Sequence, residues 1–314
     1  MNPGTLPASL HVSAKAEETL ASKGRSFHWA RYFLGEPHAS RATRLYAFCR
    51  HLDDLADESS SRESAQENLL RARSAVRSGM TSDPLLRDGL DLMRECRFSP
   101  DIILELVEGL LSDLGTVRIA DEPALLRYCY RVAGTVGVMM CGVLDVHNPV
   151  AYPHAMDLGI AMQLTNICRD IAEDAAMDRR YLPATMIGDM GPADLVIPEK
   201  NLRPHLQRSV SRLLDQADRY YASGERGLAY LPLRARCGIL VAARVYRAIG
   251  TQLRRRDCDY WSDRVVVNSK KKAIITASAF LHTPLQHFFW LPAANHDSSL
   301  HEALRGLPGT LKNR

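Results

Sequence analysis

The chain has no run of roughly 20 apolar residues, the length a helix needs to cross a bilayer. Its first residues also lack the basic-then-apolar pattern of a secretory signal. β-Branched runs are almost missing. Val265-Val266-Val267 is the one of note, and a single strand cannot make a sheet. Seven cysteines include no Cys-x-x-Cys pair, and an odd number reads as reduced, mostly buried thiols in a cytoplasmic protein. No histidine cluster has metal-ligand spacing, and no Ser/His/Asp or Cys/His arrangement stands out. No Gly-x-Gly-x-x-Gly follows a strand, so a nucleotide site is not expected. Charge of one sign is scarce: 40 Lys and Arg face 36 Asp and Glu, too even a balance to argue for nucleic acid. No long-period repeat runs through the chain, which excludes a solenoid.

What remains is helical patterning. A disordered start is expected over 1–12, with Pro3 and Pro7 and little periodicity. Helical spacing begins near Ala14, breaks at Gly24 and resumes in a short segment, Ser26–Leu34. Pro37 then sits near the start of a long helix through about Glu58, a place where proline is tolerated. Further helices are predicted over 62–78, 83–96, 100–114, Pro123 to Val146, Met156 to Ala176, 202–230, 234–256 and 265–281. Ser82-Asp83-Pro84 and Ser99-Pro100 read as helix starts. The expected fold is all-α, one helical domain over 13–283 around a central cavity, with an irregular tail over 284–314.

Two acidic pairs carry the chemistry. Asp170 and Asp174 lie four apart in Gln163-Leu164-Thr165-Asn166-Ile167-Cys168-Arg169-Asp170-Ile171-Ala172-Glu173-Asp174. On an α-helix that spacing offsets two side chains by about 40° and about 6 Å, so both carboxylates leave one stripe. Asn166 stands one turn earlier, and Gln163 lies close to the same stripe. Asp53-Asp54-Leu55-Ala56-Asp57-Glu58 repeats the arrangement at the end of the apolar run Leu45–Leu52. One such pair is usually a solvated helix face. Two of them, each beside an apolar run and without a matching lysine stripe, point to a shared cation. Hard oxygen ligands suit Mg²⁺ better than Zn²⁺. Arg50 and Arg169 stand next to the pairs; their positions fit a phosphate contact and a local ion pair equally well.

Taken in order, several segments resemble the squalene/phytoene synthase family of head-to-head prenyl transferases, over roughly residues 22–272. They are Ser26-Phe27, the stretch Tyr46–Asp57, Tyr128-Cys129-Tyr130-Arg131-Val132-Ala133-Gly134-Thr135-Val136-Gly137, and Gln163–Asp174 followed by Tyr181-Leu182-Pro183. The resemblance implies an all-α isoprenoid-synthase bundle around an apolar cavity. It makes Asp53 and Asp57 one metal motif, Asp170 and Asp174 the other, and Asn166 a further ligand of Mg²⁺, with Mn²⁺ as an alternative. It assigns diphosphate contacts to Tyr46, Arg50, Gln163, Arg169, Tyr181, Tyr246 and Arg264. It also makes Lys23, Arg25 and Ser26 part of a flap over the diphosphate, although Gly24 departs from the family's form there. Tyr128 is expected to point into the cavity, where its ring and hydroxyl would act on a carbocation. Gly134 and Gly137 would allow close helix packing, room for a prenyl chain, or both.

The implied reaction joins two geranylgeranyl diphosphates head to head through prephytoene diphosphate to phytoene, the first step of carotenoid synthesis. Dehydrosqualene or squalene from farnesyl diphosphate is the alternative within the family. Squalene needs NADPH, and no reductant site is expected. A chain-elongating prenyl transferase is a second alternative, since Asp53-Asp54-x-x-Asp57 fits its motif, though Asp170-Ile171-Ala172-Glu173-Asp174 does not repeat it. A helical assembly subunit without activity is the non-enzymatic one. The expected partners are a prenyl diphosphate, a carotenoid desaturase that takes the product, and the inner membrane face by peripheral contact. Arg254-Arg255-Arg256 and Lys270-Lys271-Lys272 read as solvated faces, and Phe288-Phe289-Trp290 as a packed tail.

Overall fold

Proline and short polar side chains set the helix starts, and the chain obeys them. The computed structural model describes residues 29–310 except 293 and 294. Lys23, Arg25 and Ser26, and the whole expected disordered start, lie outside the described residues. Helix α1 (His38–Asp57) follows Pro37, and α2 (Arg62–Ser78) is capped by Ser61, whose Oγ accepts from the Ser64 N–H. Asp83 caps α3 (Pro84–Cys96) and Ser99 caps α4 (Pro100–Asp113), each satisfying N–H groups that the first helical turn leaves unpaired. Asp121 does the same for α5 (Glu122–Cys129).

The sequence pattern predicts one unbroken helix from Pro123 to about Val146. Instead α5 passes through a π-helical turn, Tyr130–Gly134, before α6 (Thr135–Val143). A wider turn of this kind carries no mark in hydrophobic periodicity. It sits where the rod meets α7 (Tyr152–Ala176) at backbone contact. A Cβ on Gly159 would stand 2.2 Å from the Ala133 carbonyl oxygen, and one on Gly137 would stand 2.1 Å from that of Ala155.

Helix α7 is the axis of the molecule, 25 residues long. Met156, Ile160, Leu164, Ile167 and Ile171 form its core face, all buried. The rod of α5 and α6 packs on it, and so do α9 (Pro192–Val196), α10 (Arg203–Arg226) and α11 (Leu233–Arg254). Between α7 and α9 runs the short α8 (Ala184–Ile187). The last helix, α12 (Ser269–His282), starts at an Asn268 cap rather than at 265, because Val265 and Val267 are buried from extended chain. Among the described residues no strand forms; an isolated bridge pairs Arg118 with Arg180 and ties residues 117–119 to the segment after α7. All seven cysteines are unpaired, and five are buried.

The tail is folded back rather than loose. Short 3₁₀ turns occupy Thr283–Leu285, His287–Phe289 and Ser298–Leu304. Leu300, Leu304 and Leu307 are buried, and the Tyr220 and Tyr130 hydroxyls donate to the Leu300 and Pro308 carbonyls. Asp157, fully buried on α7, accepts from His296 at 2.7 Å, from His301 at 2.8 Å and from the Ser223 hydroxyl at 2.5 Å. Burial alone would raise this carboxyl, but those hydrogen bonds outweigh it and hold it below the usual range. His154, Asp157 and His296 have metal-type atoms within 4.8 Å of one another, yet the carboxylate is already saturated by hydrogen bonds, so the group works as a clasp for the tail.

Candidate active site

Helices α1 and α7 carry the same ladder. Ala42, Tyr46, Cys49, Asp53 and Asp57 on α1, and Gly159, Gln163, Asn166, Asp170 and Asp174 on α7, recur at steps of four, three, four and four. That sequence of steps keeps side chains on one face of a helix with 3.6 residues per turn. The first three rungs of each ladder, together with Asp53, line a cavity of ≈ 350 Å³. Its remaining wall is mostly apolar, with Leu45, Val136, Met140, Leu158, Met162 and Ile239 beside Arg31 and His154. Each helix therefore runs from greasy cavity to carboxylate along a single stripe. Tyr246 also lines this space, and burial pushes its hydroxyl up to about 12.

The acidic end is short of positive charge. Burial raises Asp53 to about 7, with further repulsion from Asp57, Asp54 and Asp113. Burial raises Asp174 to about 7 as well, with repulsion from Asp170 and Asp113. Asp170 differs: burial would raise it, but Arg169 and Arg264 outweigh burial and hold it below the ordinary carboxylate value. Arg264 reaches Asp170 at 2.9 Å and Glu173 at 3.1 Å from the loop after α11. Arg169 chelates the same Asp170 carboxylate, and Arg50 pairs with Asp54 at 2.5 Å. Both arginines thus stand in the local ion pairs that their positions allow.

Sequence reading missed two residues at the junction of the ladders. Asp113, at the end of α4, is the acceptor for Tyr128 at 2.7 Å and Tyr181 at 2.9 Å, and the two rings stack at 4.8 Å. Arg179 reaches Asp57 at 3.6 Å and faces Asp113 and Asp174. Arg179 could have been found beside Tyr181-Leu182-Pro183, but a lone aspartate ending a helix gives no signal. Asp113 also corrects the placement of Tyr128. This side chain does not line the apolar cavity; it is held at the carboxylate cluster, where burial and the adjacent Asp113 charge push its hydroxyl pKa well up. The cavity claims Tyr46, Gln163, Asn166 and Tyr246; the acidic end gathers Asp57, Tyr128, Asp170, Asp174, Tyr181, Arg169 and Arg264.

The profile of the family described as Squalene/phytoene synthase matches residues 20–271. The chain belongs to the squalene/phytoene synthase family. It is 33% identical to a phytoene synthase of Pseudescherichia vulneris, over 84% of this chain and 89% of that protein. To a phytoene synthase of Thermus thermophilus it is 35% identical, over 88% and 95%. Among solved structures, a dehydrosqualene synthase in complex with ligand superposes with a TM-score of 0.75 at 24% identity, covering 88% of this chain and 98% of that one. A squalene synthase of Alicyclobacillus acidocaldarius gives 0.68 at 21% identity, over 80% and 97%. These neighbours confirm the all-α isoprenoid-synthase bundle.

This squalene/phytoene synthase family member offers a donor set that fits a hard divalent cation. Asn166 Oδ1 is buried and has no hydrogen-bond partner. A buried carbonyl oxygen left unpaired costs about 1–3 kcal/mol, which a ligand oxygen recovers on binding a cation. Asp53 and Asp174, half-buried among other carboxylates, share that need.

Proposed function

We propose that the chain condenses two geranylgeranyl diphosphates head to head to phytoene. The observation that carries this is the matched pair of ladders: two helices deliver carboxylates to one end of a single apolar cavity. Asp53, Asp57, Asp170, Asp174 and Asn166 would hold Mg²⁺. Bound there, the metal would neutralise diphosphate and stabilise charge on the leaving oxygen. Arg50, Arg169 and Arg264 would exchange part of their carboxylate pairing for phosphate oxygens, which the planar guanidinium matches. Tyr46, Gln163, Tyr181 and Tyr246 would orient the diphosphate, with Lys23, Arg25 and Ser26 covering it. Tyr128, fixed by Asp113, would act beside the leaving group rather than along the chain.

The apolar walls exclude water from the cations formed when diphosphate leaves. Depth supports the longer substrate. Asn166 and His154 both line the cavity, and they stand twelve residues apart, about 18 Å along α7. The hydrocarbon product would pass to a carotenoid desaturase. Purified protein given Mg²⁺ and geranylgeranyl or farnesyl diphosphate, without and then with NADPH, tests the proposal. Phytoene without a need for NADPH is expected. A C30 hydrocarbon from farnesyl diphosphate alone overturns the substrate, and an elongated diphosphate overturns the reaction. Asp170→Ala should abolish turnover while leaving the helical content intact.

A further inference from the structure

Helix α12 is turned inside out. Its inward side carries Lys272, Thr276 and Ala279, all buried, and Thr276 Oγ1 accepts from Trp29 Nε1 at 3.1 Å. Its outward side carries Lys270, Ile274, Ala277 and Leu281 at steps of four, three and four. Ile274 and Leu281 are 67% and 68% exposed. Phe280, Leu285, Trp290 and Leu291 continue this outer surface, with Leu285 83% exposed. Among the described residues nothing covers this face, although soluble proteins seldom leave contiguous apolar surface without a use. The expectation that Lys270-Lys271-Lys272 form one solvated face fails at Lys272, which is buried. Phe289 packs inward as expected, but Trp290 does not.

The charge around this face is of one sign. From Val265 to His296 the sequence has three lysines and no Asp or Glu, and two of them, Lys270 and Lys271, are exposed. Beside α12 lies a groove of ≈ 440 Å³ whose lining includes Arg244, Arg247 and His282 and no carboxylate. The two arginines are also paired with Glu225 and Asp218, which stand outside that lining. No described helix is long and apolar enough to cross a membrane. Exposed leucine and isoleucine, a tryptophan at the edge and a basic border are the composition of a segment that lies in a lipid interface. The face also backs onto the cavity. Phe280 packs ring to ring with Phe33 at 5.3 Å, and the neighbours Ala30, Arg31 and Leu34 line the cavity. Leu231 and Ile239 line it too, and pack against the cluster that holds Phe289 and Ala279.

We propose that the outward face of α12, with Leu285, Trp290 and Leu291, is a bilayer-contact surface that seats the protein on anionic lipid headgroups. The cavity wall then lies next to the acyl chains. Passage of prenyl chains between lipid and cavity rests on the proposed function; the seating itself does not.

Sedimentation of the full chain with vesicles of phosphatidylcholine, with and without phosphatidylglycerol, tests this. Binding should appear with phosphatidylglycerol and weaken as salt rises. Trp290 emission should shift to the blue, a change absent in Trp290→Phe. Lys270→Glu and Lys271→Glu should each weaken partitioning about fivefold or more, the share of one basic side chain near such a surface. Ile274→Ser with Leu281→Ser should abolish the remainder, while activity on micellar substrate stays unchanged in every variant. Unaltered vesicle binding in these variants overturns the proposal, as does no binding by the native chain. A lipid-free dimer that the double serine variant dissociates also overturns it and gives the face to a second copy. Product formation without vesicle binding rejects the seating alone; vesicle binding without product rejects the proposed function alone.

Discussion

Asp113 makes the sharpest test of how the acidic end is built. Its two oxygens are divided between the Tyr128 and Tyr181 hydroxyls at 2.7 and 2.9 Å. Asp113→Ala leaves both hydroxyls without their acceptor in a partly buried site. Each orphaned group costs about 1–3 kcal/mol, or about 2–6 kcal/mol for the pair. Relief of repulsion on Asp53 and Asp174 offsets part of this, so the lower half of that range is expected. Asp113→Asn keeps one acceptor oxygen and should cost about half as much. Urea unfolding followed by circular dichroism reads the loss as a lowered midpoint at constant slope. Steady-state kinetics should show kcat down on the order of tenfold or more, because two positioned tyrosines lose their common anchor. An alanine variant that unfolds at the native midpoint and turns over at the native rate would refute the anchoring role.

Three further outcomes are expected. Asp53 and Asp174 are raised to about 7 by burial, so the stability their protonated forms lend is full below the unfolded value of about 4 and lost as pH rises through about 7. Melting temperature in EDTA should therefore fall across that window, and Mg²⁺ should restore it above about pH 7; identical melting with and without Mg²⁺ there contradicts the metal site. Asn166→Ala should raise the Mg²⁺ concentration needed for half-maximal rate with little change in the unfolding midpoint, since Oδ1 has no protein partner and Nδ2 makes only a long 3.4 Å bond to Gln163. Asp157 sits below its ordinary value in the fold, so its contribution is present above the unfolded pKa and lost as pH falls through the folded one. Asp157→Asn breaks a buried charged cluster at a cost of about 3–5 kcal/mol and should expose the tail after residue 295 to proteolysis; a tail equally protected in the variant argues against the clasp.

Local chemistry in the sequence was a good guide wherever one rule acted alone. Asp83 and Ser99 cap helices because a short side chain before a helical run has few other uses there. The acid pairs were legible because i, i+4 spacing fixes a shared stripe whatever the tertiary fold. Residues whose role depends on packing from elsewhere were not. Asp113 acquires meaning only when Tyr128 and Tyr181 arrive from different elements. The family resemblance implies Tyr128 in the cavity, and the structure puts it with the acids instead. The clasp joins Asp157 to histidines 139 and 144 residues away, beyond any spacing rule. In α12 apolar residues occur on every side, so periodicity could not say which side faced inward.

The π-helical turn at Tyr130–Gly134 couples two requirements that a regular helix would separate. Tyr128, upstream, must meet Asp113; Gly137, downstream, must let the Ala155 carbonyl approach. Inserting a single residue after the turn would rotate everything beyond it by about 100°. The bare glycine surface would swing away from its neighbour and a side chain would take its place. The number of residues between tyrosine and glycine is thus as tightly constrained as their identities, and insertions here should be tolerated far less than substitutions.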